Sequence, residues 1–166
     1  MKKFFVLTIL FFGCANSSET KKAFKEVKEI DYTFDSGWKE AYSIKINHEG
    51  ACIVGDGRWS IKYYTGQLSV EDMQGLDSLI QGIPFKQYDS VYHEDVVDQA
   101  SYKIILIGSN NDITTRFVYG RTAPKQLNDF SNRLRLIKEN LNLSASDTAV
   151  DFTSRKKNFQ KPIKAP

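Results

Sequence analysis

Hydrophobic and polar residues alternate from Ile30 onward, and the period of that alternation divides the chain. Ile30, Tyr32 and Phe34 fall on one side of a strand that ends at Asp35-Ser36-Gly37. Tyr42, Ile44 and Ile46 alternate with Ser43, Lys45 and Asn47, the pattern of a half-buried strand. His48-Glu49-Gly50 turns the chain into a short strand over 51–54. Gly55-Asp56-Gly57 is a hairpin signal, because Asp-Gly supplies the positive φ values of tight turns. Over 58–66, Trp59, Ile61 and Tyr63 alternate with Arg58, Ser60, Lys62 and Tyr64. The period then changes: Met73, Leu76, Leu79 and Ile80 recur at helical spacing, Ser69 with Asp72 forms a capping pair, and Gly82-Ile83-Pro84 ends the helix. A loop rich in Tyr and acidic residues follows through Asp98. Residues 102–107 are apolar on both sides after Lys103, as in a central strand, and 113–119 alternates again. Thr122 or Ala123 opens a last helix with Pro124 in its first turn, and Leu127, Phe130, Leu134, Ile137 and Leu141 share one face.

Four strands, a helix, two strands and a helix make an α+β domain. The expected form is two layers, an antiparallel sheet of about five to six strands with two helices packed on one face. The expected boundaries are a single domain over 29–143 and a disordered basic tail over 144–166, where hydrophobic patterning fades.

The first residues follow a different rule. Lys2 and Lys3 precede an apolar run over 4–12 interrupted only by Thr8, and Asn16-Ser17-Ser18-Glu19 is polar. A spanning helix needs about 20 apolar residues, so this run reads as an export signal over 1–13. Gly13-Cys14 directly after it resembles the lipobox of bacterial lipoproteins, although Phe11 and Phe12 stand where that motif carries Leu and a small residue. The resemblance implies a diacylglycerol thioether and further acylation, such as palmitate, on Cys14, with 14–28 as a membrane tether. Ala15 lacks the Asp that retains enteric lipoproteins at the inner membrane, which implies the outer membrane. The alternative is ordinary signal cleavage after Ala15 and a soluble periplasmic protein.

Charge sharpens this picture. The chain carries 23 basic and 20 acidic residues. Lys2 and Lys3 lie in the signal, four lysines against two glutamates in 15–28, and five basic residues against two aspartates in 144–166. That leaves 12 basic and 16 acidic residues across 29–143. A nucleic-acid-binding domain shows the opposite distribution, and no nucleic-acid partner is expected. Of the two cysteines, lipidation of Cys14 leaves Cys52 with no intramolecular partner, so the core stands on hydrophobic burial.

No residue set identifies a reaction or a cofactor. There is no Gly-x-Ser-x-Gly elbow, no Cys-x-x-Cys and no phosphate loop. His93, Glu94, Asp95 and Asp98 are the densest set of potential metal ligands. Calcium asks for six to eight oxygens and zinc for several nitrogen or sulfur ligands, so a solvated acidic loop is the simpler reading. Cys52 on a strand reads as a small apolar residue. If every strand turns its apolar side to the helices, Lys45, Lys62, Tyr64, Lys103 and Arg116 emerge together on the opposite face, with Ser43, Ser60 and Thr114. Such a face suits an acidic protein segment or an anionic glycan, against the ordinary solvated side of an antiparallel sheet.

The stretches YSIKINHEGACIVG, TGQLSVEDMQGLDSLI, PFKQYDSVYHEDVVDQASYKIIL and FVYGRTAPKQLNDFSNRL resemble a family of exported bacterial domains of unknown function. The likeness covers roughly 31–138 and rests on turn and helix-start motifs rather than chemistry. Many members carry a cysteine pair and Pro just before the first Tyr strand, where this chain reads SGWKEAY. The sequence therefore leads to a cell-envelope lipoprotein whose domain binds another macromolecule without catalysis. The alternatives are a small periplasmic hydrolase or metal-dependent enzyme built on the His93–Asp98 loop, and a structural envelope component.

Overall fold

The computed structural model describes Phe24 and residues 26–156. The signal, Cys14 and most of the tether lie outside the described residues, as do 157–166. The fold is α+β, with one open eight-stranded sheet and two helices. In chain order the elements are β1 (Val27–Asp35), β2 (Ala41–Asn47), β3 (Ala51–Asp56), β4 (Lys62–Gln67), α1 (Val70–Gly82), β5 (Val91–His93), β6 (Ser101–Gly108), β7 (Ile113–Tyr119), α2 (Lys125–Asn140) and β8 (Ser144–Ser146). Across the sheet the order is β5-β7-β6-β1-β2-β3-β4-β8. Pairing is antiparallel throughout except β5 with β7, which is parallel. The expected count of five to six strands is thus too low. β5 and β8 are three-residue edge strands, too short to carry a periodic signal.

Antiparallel partners directly opposite one another share a face. Ile30, Tyr32, Ile44, Ile46, Cys52, Val54, Ile104, Leu106 and Val118 thereby line one side of the sheet, where they form a single core with Met73 and Leu76 of α1 and Leu127, Phe130, Leu134 and Ile137 of α2. The first helix starts as the sequence indicates, whereas α2 starts at Lys125, later than the expected Thr122 or Ala123. Ser69 Oγ accepts the Asp72 amide at 3.1 Å and donates to its carboxylate at 2.6 Å, and Pro124 occupies the cap of α2. Two aromatic hydroxyls tie the sheet to α2: Tyr32 to Ser131 at 2.6 Å, and Tyr102 to Asn128 at 2.8 Å. Arg133 of α2 donates to Asp72 of α1 at 2.9 Å and joins the two helices.

The ends of the domain depart from expectation. Phe24 is buried in the core and β1 starts at Val27, so the fold begins inside the expected tether. Residues 144–156, expected as disordered, form β8 against β4 and then cross the other face of the sheet. Phe152 is buried there over Gly55, where a Cβ would lie 2.7 Å from its ring. Ser154 is fully buried against β1 and is held by hydrogen bonds to Asp31 and Thr33. This stretch is polar in sequence, and it covers that face of the sheet by hydrogen bonding as much as by apolar contact.

Two predictions follow from this packing. Phe152→Ala should cost about 3–5 kcal/mol and Ser154→Ala about 1–3 kcal/mol, both read as lower urea midpoints with unchanged slope. A tail that merely dangles would leave the midpoint where it was. The second concerns pH. Burial pushes the Cys52 thiol from 9.0 up to about 11 and also raises the Tyr32, Tyr42 and Tyr102 phenols above 10.0. Because the folded values exceed the unfolded ones, this stabilisation is complete below about pH 9 and is lost as pH rises through 9–11 and beyond. Unfolding midpoints should fall steeply across that window. In a Cys14→Ser form the Cys52 thiol should resist alkylation at pH 8 until the protein is denatured.

Candidate functional site

Two hairpin loops at one end of the sheet, β1–β2 and β3–β4, carry both tryptophans of the chain. Trp38 is 73% exposed and Trp59 is 84% exposed. They flank an open cleft of about 470 Å³ whose polar lining includes Glu40, Asp56, Arg58 and Lys138. The volume falls in the range of about 300–1,000 Å³ common to small-molecule sites.

The loops that hold the indoles are fixed from below. Gly37 and Gly57 adopt φ of +85° and +107°, turning each loop just before its tryptophan in a conformation that side chains rarely tolerate. Asp35, at the end of β1, accepts the Gly37 amide at 2.8 Å and forms an ion pair with Arg58 of the neighbouring loop. Ser36 Oγ accepts the amides of Lys39 and Glu40 at 3.0 and 2.7 Å. From the far face, Arg155 donates to the carbonyls of Gly57 and Arg58 at 2.5 and 2.8 Å. Behind the cleft, Lys138 of α2 lies 4.9 Å from the centre of the Tyr42 ring, 3.4 Å from Glu40 and 3.9 Å from Asp56. The lining therefore offers hydrogen-bond donors and acceptors of both signs between two flat apolar plates. Its three cations, Lys39, Arg58 and Lys138, are matched by Glu40 and Asp56 only when Asp35 behind the loop is counted with them.

The residues singled out from the sequence are distributed differently. Lys45 and Lys103 do share the face away from the helices, but the chain past β8 covers it. Lys45 donates to the Asp151 carbonyl at 3.2 Å and sits 3.5 Å from Glu29 and 3.8 Å from Asp31, while Lys103 donates to the Lys156 carbonyl at 3.2 Å. Tyr64 lies opposite Val54 and packs on the core, and Lys62 follows on the same side. Arg116 lies opposite Ile104, again on the helix side, where it donates to the Phe85 carbonyl and stacks 5.8 Å from the Phe85 ring. The five residues form no common face. The expected alternation was out of phase in these strands because β4 carries a tyrosine on each side and β7 turns Val118 rather than Phe117 and Tyr119 to the core.

In the acidic loop, His93 stacks on Tyr119 at 5.0 Å and Glu94 accepts the Arg121 amide at 2.9 Å, while Asp98 takes a left-handed conformation with φ of +63°. Among the described residues, no three His, Cys, Asp or Glu side chains converge as a metal-ligand set. Cys52 is buried beside Gly66 and Leu141. Among the described residues, no helix is long and apolar enough to cross a membrane.

The tryptophan cleft was not singled out from the sequence, where Trp59 reads as part of a strand. A signal was present nonetheless: both tryptophans follow a glycine of a turn within two residues, as Gly37-Trp38 and Gly57-Arg58-Trp59. A large apolar side chain beside a turn glycine is placed on a loop, where the core cannot reach it.

Because the indoles contribute little to the core, Trp38→Ala and Trp59→Ala should each change stability by no more than about 0.5 kcal/mol, whereas Phe130→Ala should cost about 3–5 kcal/mol. Urea titration of the three variants checks this. A large loss at either tryptophan would mean that the loops are structural. Comparison of the chain with protein-family models, curated proteins and solved structures finds no match in any of the three.

Proposed function

We propose that the chain is a cell-envelope lipoprotein, anchored through Cys14, whose α+β domain is a non-catalytic binding module with its site in the Trp38–Trp59 cleft. The observation that carries the reading is the exposure of both tryptophans on loops that are already fixed. Leaving apolar area in water forfeits about 25 cal/mol per Å² relative to burial, so exposed indoles gathered at one cleft are the mark of a contact surface. Tryptophan is also the residue most enriched among those that dominate binding energy. Fixed loops reduce the entropy lost on association. The basic start, short apolar run and Gly13-Cys14 support the anchor.

The test uses a Cys14→Ser form exported by a conventional signal and mixed with isolated envelope sheets. Saturable co-sedimentation should be seen, and Trp38→Ala/Trp59→Ala should reduce it about tenfold or more, while metabolic palmitate labelling should mark the native chain and be absent from the Cys14→Ser form. Co-sedimentation that ignores the double substitution, or none at all, would remove the cleft as the site. Absence of label in the native chain would remove the anchor.

A further inference from the structure

Resting on the binding reading above, we infer that the ligand of the Trp38–Trp59 cleft is a neutral oligosaccharide, held with sugar rings against the indole faces. Three observations converge on that chemistry. The first is the pair of exposed planar indoles, which match the flat C–H face of a pyranose ring. The second is the polar lining. Glu40 and Asp56 accept hydrogen bonds and Lys138 and Arg58 donate them, the combination that vicinal hydroxyls require, since each hydroxyl both donates and accepts.

The third is charge. Lys138 is shared by Glu40 and Asp56 and Arg58 is paired with Asp35, so that with the exposed Lys39 three cations stand against three carboxylates. A polyanion would meet the two carboxylates of the lining, and a polycation its guanidinium and ammonium. A neutral ligand meets no unbalanced field.

The fold also separates this site from the bilayer that would hold Cys14. β1 enters the sheet at Val27 and delivers the chain to the Trp38 loop at its opposite end, after Asp35. At about 3.3 Å per residue, the nine residues of β1 place the cleft roughly 27 Å from the point where the domain joins its tether. A site that inserted into the anchoring membrane would lie at the near end. The cleft lies at the end of β1 away from the tether.

Both tryptophans of the chain line the cleft, so intrinsic tryptophan emission reports on this site alone. The secreted Cys14→Ser form would be titrated with glucose, mannose and N-acetylglucosamine oligomers, with polygalacturonate, and with vesicles of phosphatidylethanolamine and phosphatidylglycerol. The expected result is a saturable shift of emission with at least one neutral oligomer. Calorimetry should then show affinity reduced about tenfold or more by Trp38→Ala and by Trp59→Ala, with partial recovery in Trp→Phe. Binding to envelope sheets should survive protease treatment of the sheets. A response to polygalacturonate or to vesicles but to no neutral oligomer would overturn the saccharide inference while keeping the cleft as a binding site. So would tryptophan-dependent binding to sheets that protease abolishes, which would point to a protein ligand. No response to any probe, together with no tryptophan-dependent binding to sheets, would overturn both this inference and the binding reading beneath it.

Discussion

A carboxylate in the middle of a sheet imposes the constraint on which much of this structure depends. Asp31 is 1% exposed and stands on β1, the central strand, on the face away from the helices. A charge in that position costs several kcal/mol unless it is paired and hydrogen-bonded. The chain past β8 meets the requirement. Thr153 and Ser154 donate their amides to Asp31 at 2.8 and 3.3 Å, Ser154 donates its hydroxyl at 2.5 Å, and Lys45 approaches to 3.8 Å. Ser154 and Thr33 extend the network to Ser43 through contacts of 2.7 Å, so neighbouring strands share one buried chain of hydroxyls. Remove the segment and Asp31, Thr33 and Ser43 would each lose partners that water must replace.

The same segment fixes the loops that carry the tryptophans. Arg155 follows Ser154 directly, so seating Ser154 on Asp31 delivers the guanidinium to the carbonyls of Gly57 and Arg58. Arg58 in turn reaches Asp35, which holds Gly37. A continuous set of hydrogen bonds thus runs from the centre of the sheet to both indole-bearing loops. Loops held this way lose little further freedom on binding, and the exposure of Trp38 and Trp59 is then a property of a defined surface rather than of floppy tips.

Sequence reasoning reached those parts of the fold where one face of an element is apolar and the other polar. β2 and both helices satisfy that condition: their apolar faces lie where the periodicity puts them and Ser69 caps α1 as expected, while Pro124 stands one position outside α2 rather than in its first turn. It fell short where both faces of a strand are covered. In β4, Tyr63 and Tyr64 are both half-buried, and in β7 Arg116 shares the helix side with Val118 while Phe117 and Tyr119 occupy the other. Alternation there carries no phase, and the cation face derived from it does not form. The strap of residues 151–156 was illegible for another reason. Its place is set by hydrogen bonds to residues more than a hundred positions earlier, and Ser and Asp spacing carries no record of such partners. The site was hidden by the same ambiguity, since Trp59 fits an alternating pattern that the turn at Gly57 in fact interrupts.

Losing the cation face changes what kind of partner the domain suits. With Lys45 and Lys103 engaged by the strap and Arg116 turned to Phe85, the described surface offers no assembled field for an acidic ligand. What it offers instead is shape and apolar contact at the far end of β1, with charges that cancel locally. For the proposed ligand, long-range attraction would then play little part, and association would proceed by unsteered encounter followed by stacking and hydrogen bonding. For a module tethered as proposed, close to an abundant polymer, that would be sufficient, because a tether supplies a high effective concentration. Weak individual contacts at such a site become useful through proximity, which is what the proposed anchor at Cys14 would add to the cleft.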